Sequence, residues 1–74
     1  MKEFKYVLSM AKRHNSIVVS SLEVKRIKSY IKKSENQILE AINENDADFV
    51  EVEKFRNDKA IVIKALEKAI MFEN

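Results

Sequence analysis

Seventy-four residues carry 14 Lys/Arg, 12 Asp/Glu and a net charge of +2, with no Cys, Gly or Pro, and a chain this short holds one core, so residues 1–74 read as a single domain. The missing residue types exclude disulfide frameworks, thiolate metal sites, Gly-rich phosphate loops and the G-x-S-x-G nucleophile elbow, and the lack of Cys points to a cytoplasmic setting. No apolar run reaches the roughly 18 residues of a membrane span and no signal-peptide pattern is present, so no membrane association is expected.

Phe4, Val7, Leu8 and Ala11 fall at i, i+3, i+4 and i+7, which predicts a helix from Lys2 to Arg13 with one apolar stripe. The periodicity stops at His14-Asn15-Ser16. Ile17-Val18-Val19 follows, three β-branched residues that suit a pleated surface and predict a very short strand. Ser20 then stands three residues ahead of Glu23, the spacing of a capping box. A helix from Ser21 to Ile31 is expected behind it, with Val24, Ile27 and Ile31 on the core side.

The same spacing recurs at Ser34-Glu35-Asn36-Gln37. A second N-terminal signal predicts a break at Lys32-Lys33-Ser34 and a new helix from Glu35 to about Glu44, burying Ile38, Ala41 and Ile42. Asn43-Glu44-Asn45-Asp46 ends it, because these side chains compete for backbone hydrogen bonds. Val50 and Val52 then alternate with Glu51 and Glu53, and Ala60-Ile61-Val62-Ile63 is again β-branched. With Asn57-Asp58 as a two-residue turn, the two runs pair as a ribbon in which Val52 faces Ile63 and Glu51 faces Lys64. Leu66, Ala69 and Ile70 predict a closing helix to Phe72.

A competing arrangement keeps Ser21–Asn45 as one helix, since Val24, Ile27, Ile31, Ser34, Ile38, Ala41 and Asn45 fit alternating steps of three and four. Phe49–Phe72 would then fold back on it in an all-α hairpin or bundle. Ile61, Val62 and Ile63 would stand side by side in that helix, with at least one of them facing solvent.

The favoured order, α-β-α-α-β-β-α, resembles a small winged helix-turn-helix domain of α+β class over about residues 2–65. Ile27, Ile31, Ser34, Ile38 and Ala41 match that family's apolar, apolar, cap, apolar and apolar positions. Lys28 departs from its small residue, Lys32-Lys33 from its turn Gly and following aliphatic, and the wing lacks Gly. The resemblance implies sequence-specific binding of double-stranded DNA by a transcriptional regulator; the residues themselves offer no catalytic set, so no enzymatic activity and no cofactor are expected. One module reads few base pairs, which favours a homodimer, joined through helix 2–13 or the apolar Ile70-Met71-Phe72.

Charge is divided in a way that suits an anionic partner. Residues 1–34 hold nine basic and two acidic side chains and residues 35–74 five and ten, a split of +7 against −5. Lys25, Lys28 and Lys32, flanked by Arg26 and Lys33, form a candidate phosphate-binding stripe, with Ser34 as a further donor. Asn36, Gln37, Glu40 and Asn43 are candidates for reading base edges, and Lys54, Arg56, Asn57 and Lys59 for the wing tip. An ordinary solvated helix face has the same composition. The alternative function is an all-helical protein-interaction module, an inhibitor or adaptor with no DNA binding, whose acidic C-terminal half meets a protein partner.

His14, the only histidine, reads as a helix C-terminal residue, and none of the six serines stands in a base–orienter set. Glu44, Asp46 and Asp48 lack the spaced pattern of a calcium loop, so no metal is expected.

Overall fold

A computed structural model describes residues 1–72. Its first helix, α1 (Lys2–Arg13), has the predicted bounds, with Phe4 and Val7 buried, Glu3 in the first turn and Lys12 and Arg13 in the last. Those charges complement the partial charges of the helix ends. The chain then extends into a short strand, β1 (Val18–Ser20), one residue later than expected.

The Ser20–Glu23 capping box forms in full. Glu23 N–H donates to Ser20 Oγ at 3.1 Å, and Ser20 N–H donates to Glu23 Oε1 at 3.0 Å. Behind it, the second helix, α2, runs unbroken over Ser21–Asn43. The expected break at Lys32-Lys33-Ser34 does not occur, and the separate helix from Glu35 merges into α2. No residue there forbids helix, and opening the chain to let Ser34 cap would forfeit several i to i−4 bonds while interrupting the stripe from Val24 to Ala41. Ser34 instead sits half-buried along the helix.

Asn45 reverses the chain with φ of 57°. Asp46 N–H reaches Ala41 O at 2.8 Å and Asn45 N–H reaches Ile42 O at 3.1 Å, the paired bonds of a Schellman motif with Asn in the left-handed position. Asp48 caps the third helix, α3 (Phe49–Lys68), its Oδ1 accepting from Val50 and Glu51 N–H at 3.0 and 3.4 Å.

Helix α3 overturns the expected ribbon: residues 49–63 are neither two strands nor a wing, and Asn57-Asp58 is not a turn. The physical reason is Phe55. Its ring stacks on Phe4 at 6.1 Å, while Phe4 also meets Tyr30 of α2 at 5.1 Å, so one α1 side chain pins both other helices. Val52, Phe55, Val62 and Leu66 all lie on the inward side of α3 at helical spacing. Of the crowded trio, Val62 is buried, Ile63 is half-buried and Ile61 is the exposed one.

The closing helix is also corrected. Helix α3 stops at Lys68, and Ile70–Phe72 forms a strand, β2, parallel to β1 with Val18 beside Ile70, Val19 beside Met71 and Ser20 beside Phe72. The α2–α3 hairpin is therefore the crossover that parallel strands require. The result is a mostly helical α+β fold with a two-stranded parallel sheet. About three quarters of the described residues are helical.

The core gathers Phe4, Val7, Ile17, Val19, Ile27, Ile31 and Val62 at one end. Beyond Ile31, α2 has no fully buried residue, and the hairpin continues as an arm. The molecule measures 41 × 24 × 18 Å with a radius of gyration of 13.4 Å, against about 11 Å for a compact chain of this length.

Candidate interaction surface

Continuity of α2 puts the phosphate-binding and base-reading candidates on one helix. At about 100° per residue, Lys25, Lys28, Lys32, Asn36 and Asn43 share one outward sector of a single helix, and all five are exposed. Lys25 to Lys32 span roughly 10 Å of helix axis. Exposed Lys33 and Glu40 flank the sector. Gln37 turns toward α3, and with Ser34 it lines the groove between the helices. Arg26 is held by Glu3 of α1 at 3.7 Å. No separate probe helix exists to present Asn36, Gln37, Glu40 and Asn43 apart from the lysines.

The four wing residues are strung along α3 instead of clustering at a tip. Lys54, Arg56 and Asn57 are exposed. Lys59 is half-buried and forms an ion pair and hydrogen bond with Glu35 of α2, linking the two arms of the hairpin midway. That cross-link replaces the ribbon's expected Glu51–Lys64 pair.

The sequence reading missed the end of the hairpin. Leu39, Phe49 and Val50 are 58, 71 and 78% exposed, unusual for large apolar side chains gathered around one helical turn-around. None of the three lines the groove of about 320 Å³ between the helices, where Ile38, Ala41, Val52 and Phe55 meet Gln37, Asp46, Asp48 and Glu51; Leu39 lines a separate groove with Glu35 and Arg56. The hairpin end is acidic: residues 36–53 contain six Asp/Glu (Glu40, Glu44, Asp46, Asp48, Glu51 and Glu53) and no Lys or Arg. One signal was available, since Asp48 stands three residues before Glu51 and marks a helix start where alternation suggested a strand.

Among the described residues no cluster of three or more His, Cys, Asp or Glu is placed to hold a metal ion. No helix among them is long and apolar enough to cross a membrane. His14 is exposed and lines a shallow groove with Asn15, Ile61, Lys64 and Lys68. No protein-family model, curated protein or solved structure matches the chain.

Proposed function

We propose that the chain is a protein-interaction module that presents the open end of the α2–α3 hairpin to a protein carrying an apolar segment framed by basic side chains. One observation carries this reading: Leu39, Phe49 and Val50 stand exposed at the hairpin end, within a segment, residues 36–53, whose charged side chains are all acidic. Apolar anchors supply affinity once desolvated, and the surrounding charge sets on-rate and partner choice. The test compares the immobilised chain with a Leu39→Ser/Phe49→Ser/Val50→Ser variant against extract of the encoding cell. A partner retained at least tenfold better by the unmodified chain, and released by salt, supports the reading. Equal retention by the two overturns it.

A second reading, backbone-directed binding of duplex DNA, has its own observation in the lysine sector of α2. It no longer has a winged scaffold, so sequence discrimination is not part of it. Gel-shift titration at two salt concentrations is the check, with a steep salt dependence and uniform weakening by Lys25→Ala or Lys32→Ala as the expected results. Binding to no duplex at low salt removes it.

A further inference from the structure

The sheet end of the molecule is unfinished in a way the hairpin end does not explain. Val19 and its neighbour in register, Met71, lie on the same face of the sheet, yet Val19 is 0% and Met71 53% exposed. The core-facing side of the sheet thus runs past the core beneath β2. Ile70 and Phe72, on the opposite face beside Val18, are exposed as well. Strand β2 carries no charge, no Pro and no Gly, the usual devices that keep an edge strand from pairing.

The backbone says which groups are free. Ile70 N–H donates to Ile17 O at 2.8 Å, so Ile70 turns both its backbone groups toward β1. In an extended strand, successive residues turn these groups to opposite sides, which aims the N–H and C=O of Met71 outward. A residue so oriented at the centre of a three-residue strand is what a two-fold axis needs. Met71 can exchange two hydrogen bonds with the same residue of a second copy, an antiparallel hydrogen-bonded pair. The same register sets Ile70 opposite Phe72 of that copy, twice by symmetry, an aromatic against a β-branched residue at close range.

We propose that β2 is a self-association edge, joining two copies antiparallel through Met71 into a continuous four-stranded sheet, β1-β2-β2-β1. The surface that such pairing would cover is on the strand itself, where Ile70, Met71 and Phe72 are 61, 53 and 44% exposed. This proposal is independent of the hairpin reading and uses the opposite end of the molecule.

Sedimentation of the full chain across about 1 to 500 µM is the experiment, because self-association tracks protomer concentration. The expected result is a shift from the 8.7 kDa monomer to twice that mass. Met71→Pro removes the outward N–H while leaving the Ile70–Ile17 bond, since Pro suits an edge strand at such a position, and it should weaken the dimer at least tenfold with helical circular dichroism retained. A charge pair keeps the test decisive if Met71→Pro unfolds. Ile70→Lys/Phe72→Lys sets like charges opposite each other and should be monomeric; Ile70→Lys/Phe72→Glu sets opposite charges there and should dimerise. A monomer throughout, a dimer indifferent to Met71→Pro, equal behaviour of the two charge variants, or a dimer lost only with Phe49→Ser/Val50→Ser overturns the proposal.

Discussion

Ser20 and Ser34 each precede a Glu or Gln by three residues, and only Ser20 caps a helix. Ser20 follows extended chain, with φ and ψ of −86° and 156°, and is almost wholly buried, so its backbone N–H has no water and must find Glu23. Ser34 lies between two helical stretches whose stripe is already aligned, and ordinary α-helix satisfies its backbone at no loss. Ser20→Ala should therefore destabilise by about 1 kcal/mol, whereas Ser34→Ala should stay within about 0.5 kcal/mol of the parent. Urea midpoints of the two variants check this, and equal losses would show that the caps had been misassigned. Asn45 makes the complementary case at the other end of α2. Its positive φ is tolerated by Asn and free for Gly, so Asn45→Ala should cost about 1 kcal/mol while Asn45→Gly is neutral or mildly stabilising in the same assay.

At the scale of elements, α3 offers a substitution on which helix and ribbon disagree in sign. Asp58→Gly creates Asn-Gly at 57–58, the strongest short-range hairpin signal, and would strengthen a ribbon. In the middle of α3 it should cost about 1 kcal/mol and reduce helical circular dichroism. Denaturation followed at 222 nm reads both effects together. This conflict also marks where the sequence was legible. Helix α1, the short strand before Ser20 and the first capping box could be read locally, because their signals lie within a few residues and nothing distant opposes them. Residues 49–63 could not, since Val50-Glu51-Val52-Glu53 satisfies period two while Val52, Phe55, Val62 and Leu66 satisfy period 3.6. The choice is made by Phe4, some fifty residues away, stacking on Phe55. Ile70–Phe72 was misread for a related reason: it becomes a strand only because α3 returns it to β1. The candidate site shifted with the elements. Lys25, Lys28 and Lys32 kept their common face, but Lys59 was claimed by Glu35, Leu39 and Phe49 at the hairpin end fitted neither periodic pattern, and Val50 was absorbed into the period-two run.

Over the whole molecule, burial runs from one end to the other, and stability should run with it. Ile27 is fully buried within the core cluster, so Ile27→Ala should cost about 2–5 kcal/mol. That is a large share of the roughly 4–11 kcal/mol expected for a chain of this size. Ile38 is only half-buried along the arm groove, and Ile38→Ala should cost about 1 kcal/mol, less than at Ile27, because part of its surface already meets water and the truncated site stays open to solvent. The same gradient predicts local opening. Amides on both sides of the turn-around, from about 37 to 53, should exchange through partial unfolding that leaves α1, β1 and the first half of α2 intact, while amides around Val7 and Ile27 wait for global unfolding. Native-state hydrogen exchange in low denaturant separates the two classes by slope, and uniform slopes along α2 would contradict the gradient. The arm that opens is the one with the exposed Leu39, Phe49 and Val50, so a protein seated there should raise protection at 37–53 while leaving the sheet end unchanged. Pairing through Met71 should instead slow exchange at β2, which lets the two ends of the molecule be assigned separately.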